Sequence, residues 1–292
     1  MFARLLMFAA MRTFVDVSGR RVALYRGFDA PGAGAPAVVL PGAGLVGLDY
    51  WPIAAGDTVL YDRCGTGWSS AAPLPRSAAD VATELHDAIG PGPWVLVAHS
   101  MGAVYARRFA QLFPESVRGL LLIDPGHEDL FDYLPPAAAE LNSALKPDPA
   151  QLPDLTAEQQ SAAREAYARL FAAWPAAVRE ELIDHHLTHW RTALYEAENL
   201  ESGVYPELRA GGPIPDVPTT VLTAGAGNPA WSSVGDPALI QQALNGIQKL
   251  HATIAAGSSR GRHIVVPGAT HQFLHIEHTG VVIEALRELA QI

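Results

Sequence analysis

Cysteine is almost missing from this chain. Cys64 is the only one among 292 residues, so no intramolecular disulfide can form and no cysteine-based metal motif can be written. A chain that does without disulfides suits a reducing cytoplasm, and a cytoplasmic location is expected. Long apolar runs are missing as well, since nothing approaches the roughly 18 uninterrupted residues that a membrane span requires. Cations are scarce: 20 Lys and Arg stand against 30 Asp and Glu, a formal net charge of −10. That balance argues against nucleic acid or an anionic membrane as partner, because both favour basic surfaces. Internal repeats and low-complexity tracts are also lacking. Residues 1–11, MFARLLMFAAM, are apolar with a single arginine. The stretch is short and broken, with no A-x-A cleavage site before the strand-like TFVDV, so it is not read as a signal peptide.

What is present is core material. Apolar residues make up 49% of the chain and charged ones 17%, enough for one large α/β domain with an insertion or for two small domains. Strand-like runs at 13–17 and 21–26 flank Ser18-Gly19, a hairpin signal. Further strands are expected at 37–40, 58–61, 94–98 and 117–123, with helices over 77–89 and 101–113 between them. WVLVA at 94–98 is apolar throughout, as a strand covered on both faces should be. The pattern then changes. From 127 to 215 prolines cluster and helical periodicity covers 157–171 and 176–199 with no apolar strand. Alternation returns with strands at 219–223 and 263–266 and helices at 237–255 and 279–290. Strand–helix alternation of this kind predicts a mostly parallel, doubly wound sheet with helices on both faces. The expected organisation is a core of 13–126 and 216–292, with 127–215 inserted at the carboxyl edge, where such sheets bind ligands.

Chemistry concentrates at Ala98-His99-Ser100-Met101-Gly102, between the WVLVA strand and a helix. A serine hydroxyl is a weak nucleophile unless it is exposed, held in position and hydrogen-bonded to a base. A tight strand–turn–helix exposes and fixes it, and aims the Met101 N–H at the reacting oxygen. Small neighbours are needed because strand and helix backbones come close, and Ala98 replaces the first glycine of G-x-S-x-G at the cost of one methyl group. Pro41-Gly42-Ala43-Gly44 follows the third strand, where a glycine-rich loop offers a second N–H donor to an oxyanion. Gly268-Ala269-Thr270-His271 follows the last strand, on the same sheet edge as the serine. Asp62 and Arg63, in YDRCGTGWSS, read as structural ties between loops, and Cys64 as a packed thiol with no base beside it.

The order LPGAG, YDRCGTGWSS, AHSMGAVYARRFAQLFPESVRGLLLID and GATHQFLHIEH resembles the α/β-hydrolase superfamily, in its cap-bearing, esterase-like branch. The resemblance covers nearly all of the chain outside the insertion. It implies the α/β-hydrolase fold, Ser100 as nucleophile, His271 as base, and an oxyanion hole made by the N–H groups of Ala43 and Met101. It also implies that 127–215 is a helical cap over the site; Phe171, Trp174 and Trp190, aromatic residues of that insertion, are the candidate substrate contacts. The expected reaction is cofactor-free and metal-free acyl transfer from a small-molecule acyl substrate to water. Serine rather than aspartate at position 100 argues against dehalogenation and epoxide hydrolysis. Transfer to an amine or alcohol, cleavage of a peptide, lactone or carbon–carbon bond, a lyase reaction, and non-catalytic ligand binding are the alternatives on the same scaffold.

The chain departs from the family pattern at the acid. The loop after the seventh strand reads Gly225-Ala226-Gly227-Asn228-Pro229, with Asn where the acid usually stands. Asparagine carries no charge to stabilise an imidazolium and favours the wrong tautomer. Asp124, at the end of the sixth strand, is therefore the expected acid, and Asp236, which also reads as a helix cap before Pro237, comes second. His275 and His278 compete with His271 for the role of base. His185 and His189 share a helix face but lack a third ligand, and His127-Glu128-Asp129 reads as a solvated loop.

Overall fold

A computed structural model describes residues 12–26, 28, 34–144, 147–232 and 235–292. The reading of 1–11 and most of the loop at 30–36 lie outside these described residues. The chain begins with a hairpin of β1 (Arg12–Val17) and β2 (Arg20–Tyr25), closed by Ser18 and Gly19, both at positive φ. Such two-residue turns match the right-handed twist of the paired strands. Six more strands follow: β3 (Ala37–Leu40), β4 (Thr58–Asp62), β5 (Trp94–His99), β6 (Val117–Ile123), β7 (Thr219–Ala224) and β8 (Gly261–Val266). All eight form one sheet in the order β1-β2-β4-β3-β5-β6-β7-β8. β1 and β2 run antiparallel to their neighbours and the other strands are mutually parallel.

Between strands lie α1 (Ala78–Ile89) and α2 (Gly102–Leu112), and after β6 come α3 (Pro136–Ala144), α4 (Ala157–Leu170), α5 (Ala176–Thr188), α6 (Thr192–Ala197) and α7 (Tyr205–Ala210). The core resumes with α8 (Pro237–Ala256) before β8 and α9 (Thr279–Gln291) after it. Caps set several of these ends. The Ser77 hydroxyl accepts from the Asp80 N–H to start α1, and Thr156 with Gln159 forms a reciprocal capping box at α4.

The fully buried β5 divides its side chains by strand periodicity. Leu96 and Ala98 pack with Val81 and Leu85 of α1 and Val104 and Phe109 of α2. Val95 and Val97 pack on the other face with Val282, Leu286 and Leu289 of α9. Burying both faces of the sheet is the main source of its stability. The register of β5 sets which residues share one edge of the sheet. Ala98 pairs with Leu40 on one side and Leu122 on the other, and His99 pairs with Ile123. The chain therefore leaves β3 at Pro41, β5 at Ser100 and β6 at Asp124 along one edge.

The helix expected over 176–199 is two helices, α5 and α6, separated at 189–191 and followed by a π-turn at Leu200–Val204. The break re-aims the chain so that Glu196 of α6 faces the core, where it is 2% exposed. Among the described residues no helix is long and apolar enough to cross a membrane.

Candidate active site

Ser100 sits between β5 and α2 with φ 51°. Among the described residues three non-glycine residues have positive φ: Ser18, Ser100 and Asp124. Side chains other than glycine avoid that region, so two strained residues at adjacent strand ends mark a place where position outweighs local comfort. Main-chain bonds hold the strain. Ser100 N–H donates to Ile123 O at 3.0 Å, and Ser100 O accepts from Gly126 N–H at 2.9 Å and Ala103 N–H at 3.1 Å. A Cβ on Gly102 would drive into the Leu40 carbonyl oxygen, which explains the glycine. Ala98, 0% exposed, shows that one methyl group fits where the motif usually has none.

Three side chains meet here from loops 171 residues apart at the extreme. Ser100 Oγ lies 3.0 Å from His271 Nε2, and His271 Nδ1 lies 2.5 Å from Asp124 Oδ2. The second Asp124 oxygen accepts from Ala224 N–H at 2.8 Å. Burial favours the neutral acid, but the hydrogen bond and charge of His271, with His251 and the Ala224 N–H, outweigh it and hold the Asp124 carboxyl below its ordinary value. An ionised Asp124 accepts Nδ1–H, so His271 turns its Nε2 lone pair to the serine hydroxyl.

The backbone of His271 is fixed from both sides. Its N–H donates to Gly227 O at 2.8 Å, and its carbonyl lies 2.8 Å from His99 Nε2. His99 Nδ1 accepts from Tyr50 Oη at 2.7 Å, and Tyr50 Oη in turn accepts from Gly42 N–H at 3.0 Å. Burial, reinforced by the neighbouring His271, lowers His99 to about 4, so it stays neutral with its proton on Nε2. The sequence reading missed His99 and Tyr50 in this role. A histidine beside the serine was the available signal, but nothing local links it to residues 49 and 172 positions away. The loop after β7, where the family pattern usually places the acid, supplies Gly227 O to the main chain of His271. Asp236 spends its carboxylate on Ala238 and Leu239 N–H at the start of α8, as a cap. His275 is fully buried and stacked on Tyr50 at 4.2 Å between ring centroids, and His278 adjoins the start of α9. Neither is hydrogen-bonded to Ser100 or Asp124.

Ala43 and Met101, the expected oxyanion donors, both border Ser100, and no acceptor for either N–H occurs among the described residues. Met101 stands at the N-cap of α2, where helix N–H groups are unpaired and the helix dipole favours negative charge. The loop carrying Ala43 is gripped by a buried ion pair. Arg63 donates to Pro41 O at 3.0 Å and Gly42 O at 2.8 Å and is paired with Glu196, whose Oε2 accepts from Gly44 N–H at 2.8 Å. Burial opposes the charge on Arg63, but Glu196 more than offsets it and holds the guanidinium above its ordinary value. Asp62 accepts from Tyr25 Oη, Gly47 N–H and Trp68 N–H, tying three segments together. Burial, aided by Glu84, pushes the Cys64 thiol up to about 12, far from a thiolate at neutral pH.

Two cavities meet at Ser100, sharing Ala43, Ser100, Asn228 and His271. One, of about 220 Å³, is walled by apolar groups such as Leu130, Phe131, Leu200, Trp231 and Ile247. The other, of about 520 Å³, runs toward Asp49, Tyr167, Phe171, His186 and Gln272. Phe171, an expected substrate contact, lines the larger cavity; Trp174 and Trp190 line neither. Trp174 donates its Nε1–H to Leu48 O at 2.8 Å and is spent on packing, and Trp190 lies under the Arg191 guanidinium. His186, next to His185 on α5, bonds Asp49 at 2.8 Å in the wall of the larger cavity. His185 stacks between Trp68 and His189, and no group of three metal-binding side chains occurs among the described residues.

Known proteins resemble the chain in sequence and in fold. Over 108 residues it is 35% identical to the "Putative carbamate hydrolase RutD" of Cronobacter sakazakii, covering 33% of this chain and 40% of that protein. The chain thus spans less than half the length of the curated relatives it matches. A hydrolase from Pseudomonas aeruginosa PA01 superposes with a TM-score of 0.61 at 20% identity, over 97% of this chain and 100% of the other. The enol-lactonase from Burkholderia xenovorans LB400 superposes with a TM-score of 0.58 at 16% identity, over 96% and 100%. The alpha/beta hydrolase family model matches residues 37–285, from the first strand of the parallel sheet into the final helix. Sheet order, elbow and family match agree, and the chain belongs to the alpha/beta hydrolase family.

Proposed function

We propose that this hydrolase is a cofactor-free serine esterase that cleaves a carboxylic ester or related acyl carbonyl through Ser100, His271 and Asp124. The observation that carries the reading is the unbroken chain from Ser100 Oγ to His271 Nε2 at 3.0 Å and from Nδ1 to Asp124 Oδ2 at 2.5 Å, with the serine held strained at a strand end. As Ser100 Oγ bonds to the carbonyl carbon, its proton passes to His271 Nε2, and the ionised Asp124 stabilises the imidazolium. The carbonyl π electrons move to oxygen, and the N–H groups of Ala43 and Met101 receive the oxyanion. Collapse expels the alcohol, which takes the proton from His271. Water then gives a proton to His271 as it attacks the acyl-serine, and collapse releases the acid while His271 returns that proton to Ser100 Oγ.

The two cavities meeting at Ser100 support a substrate with an arm on each side of its carbonyl, the smaller one apolar. Residues 127–215 act as the cap that walls both, through Leu130 and Leu200 on one side and Phe171 and His186 on the other. The Cronobacter sakazakii relative has carbamate hydrolase in its name, so carbamates belong beside esters in any screen. The test is hydrolysis of p-nitrophenyl esters of graded chain length, lactones and carbamates, with fluorophosphonate labelling and intact-mass detection. Turnover and a single adduct on Ser100, both lost in Ser100→Ala, are expected. Undiminished turnover by Ser100→Ala, or an adduct on Cys64, overturns the mechanism.

A further inference from the structure

The peptide unit joining Gly42 to Ala43 presents two groups to two environments. It is not among the cis bonds of the described chain, so its C=O and N–H point in opposite directions in one plane. The Gly42 carbonyl oxygen is held by Arg63 Nη2 at 2.8 Å, and the preceding carbonyl, of Pro41, by Nη1 at 3.0 Å. With the oxygen fixed on the guanidinium side, the Ala43 N–H must face away from it, and Ala43 borders both cavities that meet at Ser100. Gly42 is itself packed on the elbow, since a Cβ placed there would lie 3.3 Å from Ser100 Cβ.

Arg63 does not stand alone. Glu196 pairs with it through both carboxylate oxygens and accepts the Gly44 N–H at 2.8 Å. The two side chains are each 2% exposed. Together they grip the residue before Ala43 and the residue after it. Glu196 comes from α6 of the helical insertion, and α6 lies so close that a Cβ on Gly44 would be 2.7 Å from Ala193 Cβ. A buried pair of this kind is a poor source of stability, because desolvating two charges consumes most of their attraction. It is well suited to fixing geometry, and a cation on the carbonyl oxygen also polarises the peptide and strengthens its N–H as a donor.

We propose that Arg63 and Glu196 are positioning residues that aim the Ala43 N–H at the developing oxyanion, so that the oxyanion hole is complete only when α6 of the insertion is seated on the core. This rests on the serine-esterase reading above. The readout is the rate ratio between an ester and its thionoester, in which sulfur replaces the carbonyl oxygen and responds weakly to N–H donors. It is measured with kcat and KM for wild type, Arg63→Lys, Glu196→Gln and the apolar double variant Arg63→Leu/Glu196→Leu. The double variant removes the grip without leaving a lone buried charge, a change that folded proteins often tolerate. Loss of a full oxyanion donor costs about 10²–10³ in kcat, so a misaimed one is expected to cost about 10- to 100-fold. KM should stay within about twofold, and the ester/thionoester ratio should shrink with kcat. Any folded variant among the three that retains wild-type kcat and ratio overturns the proposal, as does a loss confined to KM. Failure of wild type to turn over the ester, or turnover by Ser100→Ala, instead overturns the underlying reading.

Discussion

Replacing Asp124 with Asn changes one atom and should nearly abolish activity. Both carboxylate oxygens of Asp124 are committed as acceptors, one from His271 Nδ1–H at 2.5 Å and one from Ala224 N–H at 2.8 Å. Asparagine has only one acceptor oxygen. The buried Ala224 N–H is fixed by the backbone and cannot turn away, so the amide oxygen is expected to stay with it. The amide NH₂ then faces Nδ1 of His271 and is satisfied only if Nδ1 carries the lone pair. That choice puts the imidazole proton on Nε2, pointing at Ser100 Oγ, and the serine loses its base. The charge that would stabilise the imidazolium is lost as well. A swap of this kind costs about 10⁴ in kcat, equivalent to about 5.4 kcal/mol of transition-state stabilisation. The measurement is steady-state kcat on the best p-nitrophenyl ester, alongside thermal unfolding to establish that the variant is folded. Asp236→Asn serves as the control, because weakening a helix cap costs up to about 1 kcal/mol of stability and leaves kcat unchanged. A folded Asp124→Asn within tenfold of wild type, with Asp236→Asn crippled, would refute the assignment of the acid.

Three further outcomes follow from the geometry. His99 titrates near 4 in the folded protein against about 6.5 when unfolded, so the unfolded state binds more protons between those values. Its share of stability is complete above pH 6.5, falls as pH drops toward 4 and amounts to about 3 kcal/mol. Denaturant melts should therefore lose less stability across that window in His99→Gln than in wild type, and equal slopes would remove the argument. Gly102→Ala should destabilise by about 1–3 kcal/mol or more, because its methyl group meets the Leu40 carbonyl oxygen; Ala98→Gly should retain activity, and chemical denaturation with an ester assay reads both. Phe171→Ala should change the relative kcat/KM of small and large esters, since Phe171 lines the larger cavity, whereas Trp190→Ala should not. Identical selectivity profiles for the two variants would assign Phe171 to packing alone.

The strand ends were legible because their signals are local. WVLVA is apolar throughout, AHSMG runs on from its end, and Asp124 closes VRGLLLI, so the register of a parallel sheet brings Ser100 and Asp124 together. Asn228, standing where the family's acid usually stands, points away from that loop and toward Asp124. The grip on the Ala43 loop was not legible, since Arg63 and Glu196 are 133 residues apart and neither lies in a periodic pattern that points to the other. The break between α5 and α6 was hidden because helical periodicity runs on through 189–191, with no glycine or proline there to mark the turn. Trp174 and Trp190 are aromatic residues of the insertion, and nothing in the sequence tells an indole facing a cavity from one bonded to Leu48 O or covered by Arg191.

An acid at the end of β6, as proposed for Asp124, alters what can happen at the loop after β7. When that loop supplies the carboxylate, the side chain at its tip is bound to the chemistry and cannot vary. Here the loop holds His271 through Gly227 O, a main-chain atom that any sequence provides. Position 228 borders both cavities beside Ser100 and His271, yet its side chain has no proton to guide. Under the mechanism proposed above, residue 228 can be exchanged without removing a member of the relay, which makes it a natural first position to randomise when probing which substrates this protein accepts.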